Sequence, residues 1–198
     1  SDWNVAIGYQ ALISLTAGSS NNIAIGTNAL YTQGLGGTNQ SSGSITDGSA
    51  ASIAIGRNAL YTQNSADGIN IAIGYTAGDA ITTGTKNVLI GHEAGSAIAD
   101  DNENTALGYD ALKGSTAGSY NTAIGSSCMT GALTGSNNTA IGSYAMGSAQ
   151  LAMASNTAIG VSALFGLNHA DGDNNVAVGT DAGRYYETTA TSMGTTDG

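Results

Sequence analysis

The sequence predicts an all-β protein, a parallel β-solenoid with about ten coils of 17–19 residues. Three observations carry the solenoid. One short string recurs ten times along 198 residues, at a spacing too short for helical-pair repeats. Every copy holds a Gly, and nine hold the same Asn, residues that oppose a helix. Within each copy, residue types alternate with the two-residue period of a strand.

The string opens as Asn4-Val5-Ala6-Ile7-Gly8 and returns as Asn22-Ile23-Ala24-Ile25-Gly26 and Asn121-Thr122-Ala123-Ile124-Gly125. Its glycines are Gly8, Gly26, Gly56, Gly74, Gly91, Gly108, Gly125, Gly142, Gly160 and Gly179, at intervals of 18, 30, 18, 17, 17, 17, 17, 18 and 19. The long interval holds a Gly- and Ser-rich insertion at about 34–50. It is flanked by two copies of Asn-Ala-Leu-Tyr-Thr-Gln, at 28–33 and 58–63. The domain reading is a solenoid over 1–183 and a low-complexity tail or linker over 184–198.

Each unit reads N-x-A-I-G-x-x-A-L. The Asn row comprises Asn4, Asn22, Asn70, Asn87, Asn104, Asn121, Asn138, Asn156 and Asn175, with Ser52 in the remaining copy. Stacked at roughly 4.8 Å, these amides are expected to form a buried ladder. The x and Ile positions share one face of the strand, and Ala and Gly share the other. The larger apolar set is expected to line the interior: Ile7, Ile25, Ile55, Ile73, Ile90, Leu107, Ile124, Ile141, Ile159 and Val178. Gly in every copy suits a sharp bend. The x-x-A-L that follows is expected to be a second short strand, and the outward Ala/Gly face a flat surface for chain-to-chain packing.

Composition removes several function classes. Four Lys+Arg against 14 Asp+Glu give a net charge of −10, which argues against general nucleic-acid binding and a polybasic membrane patch. No apolar run reaches membrane-span length. One Cys excludes a disulfide framework and a Cys-based metal cluster. The repeat begins at Asn4 with no polar cap before it, which predicts either a segment of a longer fibre or subunits stacked end to end.

The N-x-A-I-G-x-x-A unit over residues 4–183 resembles the head repeats of trimeric autotransporter adhesins and the repeat shafts of phage tail-fibre proteins. The resemblance implies a left-handed β-roll, three chains side by side, and an extracellular role in attachment. Adhesin-head repeats run near fourteen residues, so the corners here are longer.

Candidates for chemistry are few. The I-G-x-x-A-L string also fits one hexapeptide of acyltransferase β-helices, for which His92 or His169 would be the base. His92 occupies a variable slot held elsewhere by Tyr9, Arg57 and Ser126, and an exposed position is the plainer reading. Asp171, Asp173 and Asn175 have oxygen-ligand spacing for a weak Ca²⁺ site, against a solvated corner; Asp100 to Glu103 form the other acidic cluster. Cys128 replaces Ala in the second Ala row and reads as a small buried residue. Thr105, Thr122, Thr139 and Thr157 form a row read as core lining, with an ice-binding face as the alternative. Tyr9, Tyr75 and Tyr109 share one slot, and Tyr31 and Tyr61 another; they read as corner packing or sugar contacts. Tyr185 and Tyr186 are placed to cover the last coil.

These readings predict a non-catalytic structural fibre protein, extracellular, on a cell surface or a virion, without cofactor. Its partners are itself, as homotrimer or homopolymer, and a cell-surface glycan or receptor. A filament subunit stacking end to end is the alternative. An ice-binding solenoid and a hexapeptide acyltransferase are minor ones.

Overall fold

The computed structural model describes residues 3–13, 21–31, 52–63, 69–114, 118–131, 134–148, 153–166 and 172–184. The insertion at 34–50, His169, Asp171, Tyr185, Tyr186 and all but the first residue of the 184–198 tail lie outside them.

Each copy of the repeat contributes one three-residue strand. They are β1 (Val5–Ile7), β2 (Ile23–Ile25), β3 (Ile53–Ile55), β4 (Ile71–Ile73), β5 (Val88–Ile90), β6 (Thr105–Leu107), β7 (Thr122–Ile124), β8 (Thr139–Ile141), β9 (Thr157–Ile159) and β10 (Val176–Val178). They form one ten-stranded parallel sheet in chain order, β1 to β10. The register aligns equivalent residues, so Ala123 lies beside Ala106 and Ala140. The fold is a β-solenoid with one coil per repeat.

The faces of the strands are opposite to the sequence expectation. The central Ala of each strand from β2 to β9 (Leu89 in β5) is fully buried, and the residues on either side are half-buried or exposed. Ile7, Ile25, Ile55, Ile73, Ile90, Leu107, Ile124, Ile141, Ile159 and Val178 therefore line the outside, not the core. The Thr row turns outward with them.

The reason is the width of the coil. A second buried row, three residues after the Gly, faces the strands: Ala29, Ala59, Ala77, Ala94, Ala111, Cys128, Ala145 and Ala163. Cys128 Sγ donates to the Ala140 carbonyl of β8 at 3.2 Å, which fixes how close the two walls stand. Two facing rows of Ala fit that gap, and two rows of Ile do not. Leu60, Leu112, Met129, Met146 and Leu164, one residue further on, fill the remaining space. Where that slot holds Gly78 and Gly95, the volume is restored by Leu89, Ile81 and Ile98; a Cβ on Gly95 would lie 2.7 Å from Leu89 Cδ2 and 3.0 Å from Ile98 Cδ1.

The expected second strand is a turn. The amide of Ala29 donates to the Gly26 carbonyl at 3.3 Å, and the same closure recurs from coil to coil. The residue two after each Gly adopts positive φ, as at Asn28 (55°), Asp110 (53°) and Ser127 (52°), the third position of a type II turn. The residue four after the Gly is also left-handed, as at Leu60 (50°) and Met129 (52°). A chain that bends this way at alternate residues cannot run as a β-strand. Neighbouring coils still bond through this segment: Asn28 N–H donates to the Tyr9 carbonyl at 2.9 Å and Leu30 N–H to the Ala59 carbonyl at 2.9 Å.

The repeat Gly is required by both its dihedral and its neighbour. Gly125 has φ 136°, and a Cβ there would stand 2.5 Å from the Gly142 carbonyl oxygen of the next coil. The flanking Asn row forms the expected ladder. Asn138 donates its backbone N–H (3.0 Å) and its side-chain amide (3.1 Å) to Asn121 Oδ1, and Asn156 does the same to Asn138. The remaining amide hydrogen goes to the corner, as from Asn121 to the Gly135 carbonyl at 3.0 Å. At Ser52 the ladder is kept by a longer bond, the Asn70 backbone N–H donating to its hydroxyl at 3.4 Å, and buried Gln63 Nε2 donates to the same oxygen at 2.9 Å.

Candidate functional site

Three surfaces are available to partners: the outer strand face, the row of side chains just after the repeat Gly, and the corners.

The outer face is a sheet two ranks wide. One rank is Val5, Ile23, Ile53, Ile71, Val88, Thr105, Thr122, Thr139, Thr157 and Val176; the other is the Ile row. The register keeps both ranks straight through all ten strands. Large apolar groups on it stay open to solvent, Ile7 at 57% and Leu107 at 45% even beside their neighbours. β1 to β5 and β10 carry aliphatic pairs, and β6 to β9 carry Thr with Leu or Ile.

The row after the Gly holds stacked rings. Tyr75, His92 and Tyr109 lie face to face, each pair 5.1 Å between centroids at 20° and 17°. Arg57 sits over the far face of Tyr75 at 5.7 Å. Tyr31 and Tyr61 make a second stack at 5.0 Å. Stacking follows from the fold, because equivalent slots repeat one interstrand step apart.

Next to this row lie Glu93, Asp110 and Lys113. Glu93 and Asp110 occupy the same left-handed turn slot in adjacent coils, at φ 55° and 53°. Their N–H groups are held by the Tyr75 and His92 carbonyls, each at 2.9 Å. Lys113 Nζ pairs with Glu93 Oε2 and lies 3.3 Å from Asp110 Oδ2. That ammonium is the main cause holding the Glu93 carboxyl below its ordinary range, and Glu93 in turn raises Lys113. The other two oxygens, Glu93 Oε1 and Asp110 Oδ1, each lie 3.8 Å from His92 Nδ1. One ligand atom from each of His92, Glu93 and Asp110 lies within 4.8 Å of the other two, and this is the one such three-ligand group among the described residues.

Of the sequence-based Ca²⁺ candidates, Asp171 lies outside the described residues. Asp173 Oδ1 accepts the Ala154 N–H at 2.6 Å, and the Asn175 amide belongs to the ladder, donating to Asn156 Oδ1 at 3.0 Å. In the other acidic corner, Asp100 accepts hydroxyl hydrogen bonds from Thr82 (2.5 Å) and Thr83 (2.8 Å), which hold its carboxyl below the usual range. Cys128 is buried, and burial pushes its thiol up to about 12.

No protein-family model, curated protein or solved structure matches this chain. Among the described residues no helix is long and apolar enough to cross a membrane.

Sequence reasoning placed His92 on the surface and passed over Glu93, Asp110 and Lys113. The signal was present in the aligned repeats. His92-Glu93 and Tyr109-Asp110 occupy the same two slots of consecutive coils, so stacking brings all four together.

Proposed function

We propose that the chain is a non-catalytic segment of an extracellular or virion fibre, serving attachment, in which copies pack side by side through their outer faces. The observation that carries this is the straight two-rank outer face, aliphatic throughout one rank and half-buried to exposed along the sheet. Contiguous apolar surface of this kind marks an association site. Its groups repeat at the interstrand step, and another copy of this sheet offers the same step. The resemblance to trimeric fibres sets the number at three.

The stiff rod supplies reach, and its variable corners supply recognition. A cell-surface glycan or receptor is the partner class, with exposed tyrosines such as Tyr9 and Tyr109 as contact groups.

Sedimentation analysis tests the assembly. A mass of three times the 19.4 kDa chain, constant on dilution, is expected. A 19.4 kDa species at every concentration would overturn it.

The second reading is a filament made by stacking coil on coil. It is favoured by β1 and β10, each of which pairs on one side only among the described residues and exposes Val5, Ile7, Val176 and Val178. Electron microscopy at two protein concentrations separates the readings. Discrete rods support the side-by-side fibre, and filaments that lengthen with concentration support stacking.

A further inference from the structure

We propose that His92, Glu93 and Asp110 form a binding site for a divalent transition-metal ion of the zinc, nickel or copper type. The donors are His92 Nδ1, Glu93 Oε1 and Asp110 Oδ1.

Four observations converge on it. The His92 ring is clamped between Tyr75 and Tyr109, so its plane is set and its Nδ1 edge faces the carboxylates. Both carboxylates hang from turn positions whose backbone is held by inter-coil hydrogen bonds. Lys113 engages the second oxygen of each, leaving Oε1 and Oδ1 on the His92 side. Asp110 Oδ1 is shielded from solvent and has no hydrogen-bond partner. A shielded carboxylate oxygen without a donor is costly, and a cation removes that cost.

The dimensions fit. Metal–nitrogen and metal–oxygen bonds of about 2.0–2.2 Å put neighbouring donors about 3 Å apart. The two 3.8 Å separations from His92 Nδ1 close by under about 1 Å, and the carboxylate oxygens, within 4.8 Å of each other, by under about 2 Å, through side-chain rotation. The donor set selects the metal class: an imidazole nitrogen suits zinc, nickel and copper, whereas calcium and magnesium take oxygen alone. Charge also agrees. Two carboxylates and one ammonium leave a negative excess in a chain of net charge −10.

The site is independent of the fibre reading, since one chain supplies all three donors.

The untagged full chain, stripped with chelator, is titrated with Zn²⁺ in a calorimeter, and Cu²⁺ is added for electron paramagnetic resonance. Saturable 1:1 binding with one coordinated nitrogen is expected. His92→Phe keeps a ring in the stack and removes the ligand; it and Asp110→Asn should each weaken binding at least about tenfold. His169→Ala, at the chain's one other histidine, should leave affinity unchanged. Circular dichroism melts establish that each variant is folded. No saturable binding by about 1 mM Zn²⁺, or binding that survives His92→Phe in the folded protein, would overturn the site.

Discussion

Ala123 and Ile124 are neighbours in β7 and lie on opposite faces of the same sheet. On the inner face the side chain is fixed in size by the wall across from it. On the outer face Ile124 is half-buried, and no strand of the described residues faces it. The smaller residue is therefore the one the fold depends on, and the larger one is available for partners. Hydrophobicity ranks these two residues in the reverse order, which shows that the width of a cavity can outweigh the apolarity of a side chain.

Substitutions at this pair give the largest contrast. Ala123→Asp should cost more than about 4 kcal/mol and leave no cooperative melt, because an unpaired charge would enter a closed row. Ile124→Asp should change the melt of the dispersed chain by less than about 1 kcal/mol, while abolishing the oligomer in sedimentation. If both unfold the protein equally, the outer face is not a free surface.

A step down in size, Gly125→Ala should cost about 2–4 kcal/mol, since its Cβ would meet the next coil's backbone at 2.5 Å. Gly179→Ala carries the dihedral strain alone, its nearest neighbour being Ala182 Cβ at 3.9 Å, and should cost about 1–2 kcal/mol. Denaturant titrations compare the two. Asn121→Ala strands the Asn138 donors and the Gly135 carbonyl and should cost about 2–3 kcal/mol.

Cys128 reports on the inner face without perturbing it. With its thiol raised to about 12 and enclosed, it should resist thiol reagents at pH 8 in the native protein and react fully in denaturant. The smallest effect belongs to the surface ions. Glu93 is depressed by Lys113, so its contribution is present above the unfolded carboxylate range and fades as pH falls through its lowered folded value. Lys113 is raised, so its share is present below the unfolded lysine value and fades as pH rises through the folded one. Lys113→Met should remove a small, salt-screened dependence, read as a melting-temperature difference between low and high salt.

The period, the strand positions, the Asn ladder and the need for Gly were legible in the sequence, because each is a one-residue rule repeated ten times. The inward face was not. In Ala-Ile alternation the period gives two faces but not their orientation, and the facing row of Ala that decides it comes from five residues further along the coil. The turn after Gly was hidden for a related reason: its left-handed slots hold Leu60, Thr76 and Tyr144, which do not favour that conformation alone. The His92 cluster depended on contacts between coils, visible once the copies are laid in register.

The stacked glycines bear on inheritance as well as on shape. From Gly8 to Gly160, a Cβ on each repeat Gly would meet the backbone of the equivalent Gly in the next coil. A single-letter change in such a column meets the backbone of the next coil, whereas copying or deleting one whole unit leaves every column matched. The molecule is therefore easier to lengthen than to alter, and its size can follow the number of times a short stretch of gene has been duplicated.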